Sequence, residues 1–578
     1  MGSGKCFFSF LSLKLNILIP AQCRSLYLKN IANISVLIII LFITVPLFSL
    51  SFDDEAAPAE LAAAIESAMT DEQALAQIIM LGWVGEDPSP LIMEWIRRRG
   101  LGGVKIFGWN TTDTQRLART VGELQRASIQ GQFNIPLLVA TDQEGGWIRH
   151  IKGDTSETPG NMAIGASGYP RDAYLSGYYI GKELALLGVN MNFAPTVDLF
   201  TNRDSVLIGP RAFGSDPVST GILGAAFARG QLSAGVIPTA KHFPGHGDTA
   251  LDSHGILPRI LIDYSTLWDR ELIPYRMLVA EGLPAVMSGH IAFPQMDSGS
   301  TPASLSSWFL RDVLRDRIGF NGVVITDDLM MTGASTFLGT TPLTAKQAIV
   351  AGNDIIMFSI TPALNDQIWS YLLNSMRNED DFRRIVRESA RRVLELKLTY
   401  LRGPQSIPHI PDPAKVEAQL PDPEGSAFFL NLAARSVTFV KPVPADTLFP
   451  LTSENAGRVL LAGRFRDFFT YGRAAFPNAS TYSYNNLTNP NDIIAISRNM
   501  DTIILCLSDT VDLRVLRSLQ QQNKRVIAFS VLSPVYIESV PWVTGAVAVY
   551  SYAPESFAAG FSAIIGRIPA LGVLPYEW

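Results

Sequence analysis

The 578-residue chain has little cysteine: Cys6, Cys23 and Cys506 are the whole set. Cys6 and Cys23 fall in an N-terminal leader, so one thiol remains beyond it and no internal disulfide can form there. Stability must therefore come from packing, and Cys506, inside the apolar run TIILCLS, reads as a small buried residue. An excess of positive charge is also missing. Lys and Arg number 47 against 53 Asp and Glu, a net charge of −6, which argues against nucleic acid as a partner. The region 426–578 has no Gly-rich phosphate loop after its apolar runs, so nucleotide binding has no support there. Long hydrophobic runs are scarce as well. VLIIILFITVPLF, Val36 to Phe48, is shorter than the roughly 20 residues of a comfortable spanning helix. Residues 1–30 hold Lys5, Lys14, Arg24 and Lys29 but no acid, and Ser49 and Ser51 come after the apolar run. These are the parts of a secretory signal over 1–51, cleaved after Ser51, with an uncleaved N-terminal membrane anchor as the alternative. Either implies export to the periplasm or cell surface. No Cys directly follows the run in SLSFDDEAA, which argues against a lipoprotein anchor.

What is present is an ordinary globular composition, 47% apolar and 17% charged, long enough for two cores. Between residues 60 and 400 short apolar runs alternate with amphipathic stretches. The runs are GGVKIFG (102–108), PLLVATD (136–142), VNMNFAP (189–195), IPTAKHF (237–243), AVMSGH (285–290), GVVITDD (322–328) and NDIIMFS (353–359). Continuous apolarity fits strands covered on both faces, and the spacing leaves room for a helix after each. Seven or eight such units predict a (β/α)8 TIM-like barrel over 52–401. Residues 380–398 close it as an amphipathic helix with its charges on a solvated face. Six prolines in 402–425 read as a semi-rigid linker, and 426–578 as a smaller α/β domain with an open parallel sheet.

Chemically suggestive residues end the apolar runs: Asp142, Lys241 with His242, His290 and Asp327. In a barrel the C-terminal strand ends converge on one mouth. The segment KHFPGHGDTALDSHG (241–255) invites two readings. As a metal site it has His242, His246, Asp248, Asp252 and His254, but Pro244, Gly245 and Gly247 forbid the helix on which His at i and i+4 would converge. We therefore expect no metal. As an acid–base loop it explains more: Asp252 and His254, two apart, can face the same way. The carboxylate would fix the imidazole tautomer while the other nitrogen moves a proton near neutral pH. Asp327 supplies a partner carboxylate, and Asp328 is placed to cap the next helix. Lys241 and Arg211 have a plainer alternative as structural ion pairs, and His290 as a core hydrogen-bonding residue. His246 and Asp248 read as shaping the loop.

These motifs, with DQEGG (142–146), NFAPTVD (192–198), RAFGSDP (211–217), MSGHIAFP (287–294) and ITDDLMM (325–331), resemble glycoside hydrolase family 3, and within it the bacterial β-N-acetylhexosaminidase (NagZ-like) branch. The resemblance implies a retaining exo-enzyme that removes terminal β-N-acetylglucosamine from peptidoglycan fragments without a cofactor. It makes Asp327 the nucleophile and His254, oriented by Asp252, the acid/base. Asp142, Arg211, Lys241 and His242 would hold the sugar's hydroxyls. Muropeptides and other β-N-acetylglucosaminides are the implied carbohydrate substrates. Two departures stand out: Trp147 where the family often has Arg, with Arg149 two residues on, and Gly289 where Ala is usual. Rival readings are a β-glucosidase or β-glycoside phosphorylase of the same family and, from another class, a non-catalytic wall-binding module.

Overall fold

The structure, a computed structural model, describes residues 50–577 apart from 252, 254, 297–298, 336, 441–447 and 453. The leader expected over 1–51 lies outside these but for its last two residues. Ser51–Trp578 form one unit, separate from Met1–Leu50.

The apolar runs become strands. In chain order they are β1 Ile79–Gly82, β2 Gly103–Lys105, β3 Leu138–Thr141, β4 Gln143–Gly145, β5 Ile148–Arg149, β6 Met191–Asn192, β7 Ile237–Phe243, β8 Ala285–Ser288, β9 Val323–Asp328 and β10 Ile355–Phe358. Eight of them close a parallel barrel in the order β1, β2, β3, β6, β7, β8, β9, β10, while β4 and β5 form an antiparallel hairpin at the end of β3. The TIM-like barrel is thus as expected. β1 is the one barrel strand without its own signal in the sequence. Residues 74–84 are almost continuously apolar through the end of the helix Asp71–Gln77 and on past the strand, so no change of period marks the boundary.

Helices between strands start where the chain supplies caps. Asp113, Asp216 and Asp366 each accept a backbone N–H in the first turn of the helices Thr114–Ile129, Pro217–Ser233 and Gln367–Asn378. The closing helix Asp380–Tyr400 buries Phe382, Val386, Ala390, Val393 and Leu394. Its charges are not simply solvated, which corrects the expectation. Arg392 pairs with buried Asp354 at 2.6 Å, and Arg387 reaches Glu66 at 2.6 Å and Asp71 at 2.9 Å. Lys397 is fully buried against Gln77 Oε1 at 2.9 Å, and burial pushes its pKa down to about 7.

The segment 402–425 is packed rather than free. Val416 and Asp422 are buried, Lys182 pairs with Asp422 at 2.5 Å, and Pro413–Gln419 is helical. Beyond it lie β11 Thr438–Val440, β12 Val459–Gly463, β13 Ser480–Ser483, β14 Thr502–Leu507, β15 Arg525–Ser530 and β16 Gly545–Ala548. They form an open sheet in the order β11-β16-β15-β14-β12-β13. It is parallel except that β11 runs antiparallel to β16, so the sheet is mixed rather than purely parallel. β13, STYS on an exposed edge, carries no apolar signal. Cys506 is buried in β14, as expected. Among the described residues no helix is long and apolar enough to cross a membrane.

Candidate active site

A cavity of about 390 Å³ opens at the C-terminal ends of the barrel strands. Lys105, Asp142, Glu144, His150, Arg211, Lys241, His242, His246, Ser253 and Asp327 line it together with apolar residues including Met287, Met331 and Met357. Of the seven side chains expected to form a site, Asp142, Arg211, Lys241, His242 and Asp327 meet here. The other two, Asp252 and His254, lie outside the described residues. Ser253 between them is buried, lines this cavity, and accepts the Gly333 N–H on its carbonyl at 3.2 Å.

The floor is a compensated ion cluster. Asp142, just past β3, takes Lys105 Nζ on Oδ2 at 2.7 Å and Lys241 Nζ on Oδ1. Burial pushes the Asp142 carboxyl up, but Lys105, Lys241 and His150 hold it well below the ordinary carboxylate value. Glu144, on β4, receives both Arg211 Nε at 2.9 Å and Nη2 at 2.8 Å, the bidentate fork that suits guanidinium to carboxylate. Lys241 Nζ adds a third contact at 2.6 Å. Burial again acts upward on Glu144, and Arg211 and Lys241 outweigh it, down to about 2.

The two lysines differ for a simple reason. Burial lowers both, but Lys241 touches two carboxylates and ends above its ordinary value, whereas Lys105 touches Asp142, feels Asp327 only weakly, and ends below. Lys105, Lys241 and Arg211 on Asp142 and Glu144 keep the charge nearly balanced, without which such groups could not stay ionised. Lys241 and Arg211 thus form the ion pairs of the plainer reading, and both also line the cavity.

His242 completes this side. Its Nδ1 donates to Asp198 Oδ2 at 2.7 Å, and its Nε2 sits 3.4 Å from Arg211 Nη2, which can only donate. Asp198 also accepts the backbone N–H of His246 at 2.7 Å. Burial raises Asp198, and His242 and His246 bring it down to about 2. The Lys241–His242 peptide is cis.

Asp327 lies across the cavity at the end of β9. Its Oδ1 accepts the Asp328 N–H at 2.8 Å. Burial raises this carboxyl too; His290, His242, the Asp328 N–H and Lys241 pull it below its ordinary value. The result is a half-buried anion facing the cavity. Asp328 does not cap the next helix, which begins at Thr332; its Oδ1 instead accepts the N–H groups of Met330 and Ser359, both at 3.0 Å, tying the turn after β9 to the end of β10. His290 is a core residue, fully buried, its Nε2 donating to the Asp328 carbonyl at 3.0 Å and its Nδ1 2.7 Å from Ser304 Oγ.

The loop leaving β7 is shaped as expected by His246 and Asp248. His246 is buried edge-on to His242 at 5.8 Å, and burial lowers it to about 4. Asp248 pairs with Arg270 at 2.8 Å, and Arg270 also holds Glu271 at 2.6 Å. Where Trp147 departs from the family, the cavity is lined instead by Ile148 and His150; Arg149 turns to Thr155 O at 2.9 Å and Glu157 at 3.1 Å. Lys105, Glu144, His150 and Asp198 belong to the site without having been picked out from the sequence. For Lys105 a signal existed, a lysine inside the apolar run GGVKIFG. Among the described residues no three potential metal ligands converge.

Residues 70–396 match the Glycosyl hydrolase family 3 N terminal domain. Beta-hexosaminidase A of Pseudoalteromonas piscicida is 30% identical over 473 residues, covering 74% of this chain and 75% of that protein. The Beta-hexosaminidase of Tolumonas auensis is 36% identical over 267 residues, 46% of this chain and 77% of that protein. Among solved structures, a glycoside hydrolase family 3 beta-N-acetylglucosaminidase from Paenibacillus sp. superposes with a TM-score of 0.79 at 28% identity, covering 88% of this chain and 99% of that one. The family match spans every strand that brings a charged side chain to the cavity, and on it the chain belongs to glycosyl hydrolase family 3 and is a glycoside hydrolase.

Proposed function

We propose that the enzyme is a retaining exo-β-N-acetylglucosaminidase acting on peptidoglycan fragments, with Asp327 as nucleophile. The observation that carries this reading is the placement of Asp327, half-buried and held ionised, in one cavity with the Asp142–Lys241–Glu144–Arg211 cluster. The names of its relatives supply the sugar. In this reading Asp142 accepts from the terminal sugar's hydroxyls, while Arg211 and Lys241 donate to it. That fixes the ring with its anomeric carbon toward Asp327. Met287, Met331 and Met357 offer an apolar surface for the N-acetyl methyl group.

The Asp327 carboxylate attacks the anomeric carbon as the glycosidic bond breaks, and His254, oriented by Asp252, protonates the leaving oxygen. The same imidazole then takes a proton from water, whose oxygen displaces Asp327 and restores the β configuration. Ser253 on the cavity wall supports this assignment, since it is flanked by Asp252 and His254. An imidazole left neutral after proton transfer also avoids repulsion with the carboxylate of a muramic-acid leaving group. The leader supports export, with the mature chain beginning at Phe52, which is buried with its N–H on Phe133 O at 2.8 Å.

The test is a fluorinated glycosyl trap followed by mass spectrometry of the peptide holding Asp327, beside a panel of nitrophenyl sugars. A covalent label on Asp327 and preference for the N-acetylglucosaminide are expected. Preference for the glucoside would make it a β-glucosidase, and sugar 1-phosphate formed on adding phosphate would make it a phosphorylase. N-terminal sequencing of the exported protein checks cleavage after Ser51.

A further inference from the structure

We propose that the C-terminal segment Gly572–Glu577 is a strap that positions the active site, with Tyr576 and its neighbours fixing the loop 199–211 that carries Leu207 and Arg211 into the cavity. The proposal rests on the sugar-holding role given to Arg211.

The segment is tied to both sheets' surroundings by backbone alone. Gly572 N–H donates to Val437 O at 2.9 Å, Val573 N–H to Ala166 O at 3.0 Å, and Pro575 O accepts Ser215 N–H at 3.0 Å. The approach is too close for side chains: a Cβ on Gly214 would sit 2.2 Å from Pro575 O, and one on Gly572 would sit 2.1 Å from Ser436 O. Side chains then clamp the loop. The Tyr576 ring packs edge-on against Phe200 at 5.2 Å, and both are buried. Arg203 donates from Nη2 to Glu577 O at 2.7 Å and pairs through Nη1 with Glu538. Phe200, Ile208 and Ala212 share one core with Tyr576 and with Leu460, Leu505 and Ala528 of the second sheet.

The loop's opposite side faces the site. Asn202 N–H donates to Gly247 O at 3.3 Å, and Thr201 Oγ1 donates to Asp248 Oδ1 at 3.3 Å. A Cβ on Gly247 would fall 1.6 Å from Leu199 O. Within the loop the only regular structure is the single turn Gly209–Arg211, so its path is decided by what presses on it from either side. The guanidinium of Arg211 is therefore placed by the strap as well as by Glu144, and the second sheet becomes part of the catalytic apparatus without touching substrate. Tyr576 and Arg203 are positioning residues in this arrangement.

The experiment uses the full-length enzyme with 4-nitrophenyl N-acetyl-β-glucosaminide, comparing Tyr576→Ala, Tyr576→Phe and Arg203→Gln alone and combined with Arg211→Lys. Tyr576→Ala is expected to raise KM about tenfold with kcat reduced less than about threefold. Tyr576→Phe, which keeps the ring, should retain the wild-type KM. In the Arg211→Lys background, the added effect of Tyr576→Ala should vanish. If Tyr576→Ala does not fold, Arg203→Gln at the exposed end of the same clamp carries the expectation of a raised KM lost in the Arg211→Lys background. Independent, multiplying effects overturn the strap while leaving Arg211 its role. A thermal shift without any change in KM does the same. An Arg211→Lys enzyme with unaltered KM overturns the reading of Arg211 and the strap with it.

Discussion

Glu144, buried, and Asp327, half-buried, are carboxylates of one cavity, yet their surroundings give them different work. Glu144 has three charged hydrogen bonds from Arg211 and Lys241, which leaves it little capacity for substrate. Among the described residues Asp327 has one hydrogen bond, the Asp328 N–H at 2.8 Å on Oδ1. Asp327→Asn should therefore lower kcat by about a thousandfold or more while leaving the dissociation constant for N-acetylglucosamine within a few-fold, as calorimetry would show. Glu144→Gln instead removes the anion that neutralises two buried cations. It should cost about 3–5 kcal/mol of unfolding free energy in urea titrations, and unchanged stability would contradict the buried-pair account. At this scale the sequence is partly legible. Asp142, Lys241, His242 and Asp327 end apolar runs and stand out; Lys105, Glu144 and Asp198 matter only because folding brings them beside those four. His150 is of the same kind: it lines the cavity because the β4–β5 hairpin turns it back over Lys105, 3.2 Å away, a turn that no periodicity announces.

The loop after β7 is held to the barrel through Asp248 and Arg270 to Glu271. Glu271 is almost fully buried beside Gly245. Burial pushes its pKa up from 4.5 to about 7, against the pull of Arg270. Its folded pKa lies above its unfolded one, so the native state holds an extra proton between these values. The associated stability is fully present below about pH 4.5 and lost as pH rises through about 7. A displacement of that size is worth about 3 kcal/mol. Relative to Glu271→Gln, the wild type should lose roughly that much unfolding free energy between pH 5 and pH 8. Parallel stability curves for the two proteins would show that Glu271 does not titrate in this window. Glycine and proline in 244–247 announce a shaped loop, but the sequence says nothing of its anchor. Arg270 and Glu271 lie in the unremarkable helical stretch LWDRE, and only packing turns them toward the loop.

Across the whole molecule, the barrel and the second sheet are not independent bodies, because Met162, Ala163, Phe200 and Ile208 of the barrel region lie in the second sheet's core. A chain ending near residue 401 would expose that surface and should be poorly soluble, with a melting temperature well below that of the full protein. A cooperative, equally stable truncated barrel would refute the shared core. Prolonged dialysis against a chelator should leave activity intact, since the proposed reaction runs through a carboxylate and an imidazole alone; loss of turnover restored by zinc would revive the metal reading. The barrel was determined by the sequence itself, because short apolar runs at helix-permitting intervals admit few other architectures, and local periodicity is a property of neighbours along the chain. The charge balance beneath the sugar pocket, the anchoring of the β7 loop and the union of the two sheets were decided only by tertiary structure. Each depends on groups tens to hundreds of residues apart, whose mutual attraction begins only when burial strips water from between them.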